Sequence, residues 1–104
     1  MNQELKKIIR QNEIMISLLG RIAFDEDKVR NIIVRGKRKD LTQEYIRGYN
    51  ACDGTRTVSE IASIIGISDG TLSPILKKWE ELGIIYEIER SGGKFYKRIL
   101  PIGE

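Results

Sequence analysis

The sequence predicts a mainly helical fold closed by a small β-hairpin, and three observations carry that prediction. Residues 57–66 read as a short helix ending on a glycine. Residues 68–83 read as a longer helix, also ending on a glycine. Residues 84–99 then form two alternating segments about a Gly-Gly pair. Short helix, tight turn, longer helix and hairpin is the order of a winged helix-turn-helix. A chain of 104 residues suits one small core with an appendage.

The appendage comes first. Over residues 3–23, Leu5, Asn12 and Leu19 fall at heptad position a and Ile8, Met15 and Ile22 at d. Ile9, Ile16 and Ala23 widen the stripe at e. A face this wide packs on its own domain, on a second copy, or on both. Small DNA readers commonly pair to span two half-sites, so residues 1–36 are expected to dimerise the chain. Asn12 is the polar a-position residue that would set register, or else a surface residue at the edge of the stripe.

Asp25, Glu26 and Asp27 mark the start of a second helix, because carboxylates suit the free N–H groups there. It should run to about Arg35, with Val29, Ile32 and Ile33 inward and Gly36 at its end. No glycine or proline parts it from the first helix, so one kinked helix or two are both open. Residues 36–40 read as a linker.

The winged domain is expected over residues 41–100. Asp40 with Gln43 reads as a capping pair for a helix from Leu41 to Cys52, burying Leu41, Tyr45, Ile46 and Tyr49. Asp53-Gly54 turns the chain, and residues 55–57 could form a short third strand. Thr57 and Glu60 make a capping box for residues 58–65, and Gly66 supplies the left-handed turn. Ser68 caps the helix over 68–82, with Leu72, Ile75, Leu76, Trp79 and Leu82 buried. In the hairpin, Gly92-Gly93 as a type I′ turn would set Glu87 opposite Arg98. Pro101 should end the ordered chain.

Composition narrows function. There is no histidine and only one cysteine, Cys52, which reads as a small core residue. This excludes a Cys/His zinc site within one chain, an internal disulfide and histidine-based catalysis. No carboxylate pair, phosphate loop or activated nucleophile stands out, so neither an enzyme nor a cofactor is expected. The apolar stretch 14–24 is broken by Ser17, Gly20 and Arg21, and no signal peptide pattern is evident. A cytoplasmic protein with no membrane partner is expected.

Charge is uneven. Lys28, Arg30, Arg35, Lys37, Arg38 and Lys39 form an acid-free run over 28–39. Residues 41–104 hold eight basic and nine acidic side chains. The run is either a solvated face and linker or a nucleic-acid contact.

The segments Val58-Ser59-Glu60-Ile61-Ala62, Gly66-Ile67-Ser68, Thr71-Leu72-Ser73 and Leu76–Ile85 resemble winged-helix transcription regulators of the MarR and ArsR groups, closest to small archaeal-type members. The likeness covers about residues 41–99. It implies a DNA-binding regulator that places helix 68–82 in the major groove. The residues it carries over are the exposed ones early in that helix: Asp69, Gly70, Thr71, Ser73, Pro74, Lys77 and Lys78. Thr71 and Ser73 suit bases or phosphates, Lys77 and Lys78 suit phosphates, and Arg56 adds a further phosphate contact. Arg90 and Lys94 at the wing tip suit backbone or minor groove. The relatives' arginine-type donor after the serine is Pro74 here, and Asp69 would repel phosphate. Two other functions remain compatible: a winged-helix protein-interaction or assembly module with a protein partner, and a sequence-indifferent architectural DNA binder.

Overall fold

Capping side chains set three of the helix starts, at Asp25, Thr57 and Ser68. A computed structural model describes residues 3–23, 25–90 and 93–103, without the side chains of residues 17 and 19–23. Five α-helices and a two-stranded antiparallel hairpin follow in chain order: α1 Gln3–Ala23, α2 Glu26–Val34, α3 Thr42–Asn50, α4 Val58–Ile65, α5 Asp69–Glu81, β1 Ile85–Arg90 and β2 Gly93–Arg98. The N-terminal region is therefore two helices. Asp25 caps α2, accepting from the Lys28 N–H at 2.7 Å. Thr57 and Glu60 close the expected capping box on α4, and Ser68 caps α5. Gly66 takes the left-handed turn between them at φ 89°.

Asp40 does not cap α3. Arg38 takes both its oxygens in a fork, Nη2–Oδ2 2.7 Å and Nε–Oδ1 3.2 Å. A 3-10 turn over Lys39–Leu41 starts α3 instead, with the Thr42 hydroxyl donating to the Lys39 carbonyl.

The core lies where α2, α3, α4, α5 and β1 meet. Val29, Ile33, Tyr49, Cys52, Ile61, Leu72 and Ile84 are fully buried there. Gly48 brings α3 against α4: a β-carbon at this position would overlap the Ile65 side chain. Trp79 is buried and meets Tyr49 edge-on, ring centroids 5.9 Å apart at 79°. The Tyr49 hydroxyl donates to the Ile84 and Leu100 carbonyls, tying α3 to both ends of the hairpin. Leu82, expected inside, is 42% exposed. Gly83 turns the chain at φ 84° just after it, and Ile84 and Ile85 take the interior instead.

The hairpin register is shifted from the expected one. Arg90 pairs with Gly93, so the connection is residues 91–92, which lie outside the described residues, and Glu87 faces Tyr96. The register is fixed from the other edge of β2. The Arg98 N–H donates to the Cys52 carbonyl (2.7 Å), and the Gly54 N–H donates to the Tyr96 carbonyl (3.0 Å). The third strand is reduced to one bridge, Asp53 with Lys97. Arg98, freed from Glu87, donates to the Asn50 carbonyl at 2.7 Å.

The chain stays ordered past Pro101. The Asn50 amide donates to the Ile102 carbonyl and accepts from its N–H, and the Ile102 side chain is buried. Gly103 accepts from Arg30 at 2.8 Å and donates to Glu26, both on α2.

Burial pushes the Tyr49 hydroxyl from an ordinary 10.0 to about 12 and the Cys52 thiol from 9.0 to about 12. Both folded values are raised, so both favour the fold in their protonated forms. That contribution is complete below the ordinary values and is lost as the pH rises through them toward 12. Alkaline titration followed by circular dichroism should show unfolding across that window. Below it, Cys52 should resist thiol reagents. Prompt labelling of the native chain at neutral pH would contradict this burial.

Candidate nucleic-acid interface

The buried stripe of α5 dictates what its other face presents. Leu72, Leu76 and Trp79 turn into the core, which leaves Gly70, Thr71, Ser73, Pro74, Lys77 and Lys78 together on the exposed face. Local hydrogen bonds organise the start of that face. The Ser68 hydroxyl lies 2.9 Å from the Thr71 hydroxyl and accepts from the Thr71 N–H at 3.1 Å. The Ser73 hydroxyl donates to the Asp69 carbonyl at 3.0 Å. Its proton is therefore engaged, and what it offers a ligand is its lone pairs. That suits an exocyclic amino group on a base rather than a phosphate.

Asp69, the residue most unfavourable to phosphate, has a partner on the preceding helix: its carboxylate accepts from the Ser59 hydroxyl. This draws the charge to the α4 side and locks the two helices at their turn. The sequence reading missed Ser59, which lies ten residues away with no motif joining the pair. Pro74 sits inside α5 without breaking it. It has no N–H to give the Gly70 carbonyl one turn back, and Gly70 itself has open space where a side chain would be.

Around α5 the predicted cations divide. Arg56 is exposed in the bend before α4 and acts on Asp53. Burial tends to raise the Asp53 carboxyl, but hydrogen bonds from the Thr55 hydroxyl and N–H outweigh it, the Arg56 charge adds to them, and the net shift is down. Arg90 is exposed at the end of β1. Lys94, the second residue of β2, reaches Glu87 at 3.7 Å.

The 28–39 run is partly neutralised within the chain. Arg30 lies 3.7 Å from Glu26 and 3.4 Å from Asp27, and Arg38 holds Asp40. Lys37 donates to the Arg35 carbonyl and lies 6.0 Å from the Tyr45 ring centre. Its partial burial lowers its pKa. Residues 41–82 carry four basic and six acidic side chains, so positive charge is concentrated outside the helix-turn-helix.

The predicted dimer residues split between two sides of α1. Ile9, Asn12 and Ile16 line a cavity of about 310 Å³ against Tyr86 and Ile88 of β1. Leu5, Ile8 and Met15 are each about half exposed, as are Ile14 and Leu18, which lie outside the predicted heptad stripe, and Ile9 and Ile16 are themselves exposed at 44% and 36%. The side chains of Leu19 and Ile22 lie outside the described residues.

With this geometry in place, comparison with known families adds one finding. Residues 52–87 match the model of the bacterial regulatory protein family arsR. The matched segment begins at Cys52 and takes in α4, the Gly66 turn, α5 and the start of β1, the unit whose exposed face is described above. The fold is that of a mainly helical winged helix-turn-helix, and its residues 52–87 are similar to that family. The match supports a DNA-binding transcription regulator and double-stranded DNA as the partner. Neither the curated proteins nor the solved structures gave a match. Among the described residues, no helix is long and apolar enough to cross a membrane.

Proposed function

We propose that the chain is a homodimeric transcription regulator that inserts α5 in the major groove and rests wing residues 90–94 on backbone or minor groove. The coincidence of the arsR match with the α4–α5 unit carries this reading. In it, Thr71 and Ser73 meet base edges near the start of α5. Lys77, Lys78, Arg56, Arg90 and Lys94 meet phosphates, and Gly70 and Pro74 leave room for close approach. α1 pairs two chains so that two such helices reach successive half-sites. The likeness to MarR-type and small archaeal regulators belongs to the same reading, as does a cytoplasmic location.

A binding titration with operator-like and scrambled duplexes across a salt series tests it. Lys77→Ala should weaken all duplexes about equally and lower the salt-dependence slope by ~1 unit for each chain bound. Ser73→Ala should cost the preferred duplex more than the scrambled one, by ~1 kcal/mol or more, because an acceptor for a base amino group is removed. Equal weakening on both duplexes would indicate a sequence-indifferent architectural binder, which would rely on the basic run over 28–39 more than on α5. No weakening from either variant, with the fold intact, would indicate a protein-binding winged helix.

A further inference from the structure

α1 and the wing form a charged surface between them. Lys6 and Arg10, one turn apart on α1, line an open cleft of about 470 Å³ with Arg90 at the end of β1. All three cations are exposed. Two acids share the cleft; one has a lysine of β2 beside it, and the other pairs across the ladder with a lysine whose ammonium is on Glu87. The Glu13 carboxylate lies 3.9 Å from the Lys97 ammonium, and Glu89 faces Lys94 across the ladder. The cleft with its lysine neighbours therefore keeps an excess of positive charge. At 100° per residue, Lys6 and Arg10 lie on the side of α1 away from Ile8 and Met15. Ile9, at the edge of the apolar stripe, also lines the cleft, so this surface borders the stripe on the side away from Ile8 and Met15.

We infer that this cleft is a second phosphate-binding surface, in which Lys6 and Arg10 continue the wing's contact along the backbone of duplex DNA. The inference rests on the DNA-binding reading above and adds to it a contact made by α1. Three observations carry it. The cations come from two distant parts of the chain and converge on one opening. They adjoin Arg90, at the tip of the wing. The helix-turn-helix itself has more acid than base, so a polyanion that meets its few lysines and arginines needs further counter-charges from outside it. Duplex DNA offers phosphates on a spacing of a few ångström along each strand, which suits a patch that continues past a wing tip.

The test uses the full chain, duplex DNA and a salt series. In the double variant Lys6→Gln, Arg10→Gln the log–log salt slope should fall by ~2 units for each chain bound, about 0.9 for each phosphate no longer neutralised. Affinity should fall equally for operator-like and scrambled duplexes, with oligomeric mass and helix content unchanged. Glutamine keeps helix propensity, so α1 should persist. The charge-preserving swap Lys6→Arg, Arg10→Lys should restore the wild-type slope, which a packing role would not do. An unchanged slope in the double variant, while Lys77→Ala still lowers it, would overturn this inference and leave the helix-turn-helix reading standing. Absence of duplex binding by the wild-type chain would overturn both.

Discussion

Trp79→Ala is expected to cost ~3–5 kcal/mol, the range for deleting a large aromatic side chain from a core. For a domain of this size that corresponds to a melting temperature lower by roughly 15–30 °C. The indole is 1% exposed and stands edge-on to Tyr49. Tyr49 in turn holds the Ile84 and Leu100 carbonyls, so the cavity would open where α3, α5 and both ends of the hairpin meet. Trp79→Phe should cost much less, ~1–2 kcal/mol, since most of the apolar volume stays. The indole Nε1 has no hydrogen-bond partner among the described residues, so phenylalanine forfeits volume alone. Thermal denaturation of the two variants separates packing from hydrogen bonding. A Phe variant as unstable as the Ala variant would mean that the indole N–H has a partner. The alanine variant should also lose DNA affinity near its lowered melting point, because Trp79 fixes the angle at which α5 presents Thr71 and Ser73.

Such contacts divide what the sequence could reveal from what it could not. Thr57 with Glu60, Ser68 before α5 and Asp25 before α2 were legible because each cap joins residues three apart. The buried stripe of α5 was legible from helical spacing. Asp40 misled because two local partners compete for it, and the Arg38 guanidinium forks a carboxylate better than a backbone N–H does. The hairpin register followed plausible turn chemistry but was decided elsewhere, at the Cys52 carbonyl and the Gly54 N–H. Pro101 looked like an end, and only the fold brings Asn50 to both polar groups of Ile102. The same limit applies at the candidate site. Its exposed residues follow from the helix stripe, whereas the Asp69–Ser59 link and the meeting of Lys6, Arg10 and Arg90 need tertiary geometry. Asn12 shows both sides of this. The heptad names it, but in the fold it is exposed and lines, with Ile9 and Ile16, the cavity that faces the wing, while Ile8 and Met15 look out to solvent on another side.

Ile8→Lys with Met15→Lys should turn the proposed dimer into a monomer and lower affinity for a two-half-site duplex by ~10²-fold. That is the lower end of the gain from linking two binding events. Both side chains are about half exposed in the single chain, so the substitutions leave the α2–α5 core untouched and the melting of that core should change little. An ammonium at each position would instead have to be buried, unpaired, against a partner helix. Light scattering reads the mass, and titration against duplexes carrying one or two half-sites reads the affinity. The expected pattern is a halved mass, a large drop in affinity on two half-sites and a small one on a single half-site. An unchanged mass with unchanged affinity would make α1 an ordinary appendage and remove the dimer from the proposed mechanism. The remaining pattern is also decisive. Lysines at 8 and 15 add positive charge, so a nonspecific electrostatic contact through this face would raise affinity for every duplex. A fall confined to paired half-sites therefore cannot be produced by charge and must come from the absence of the second chain.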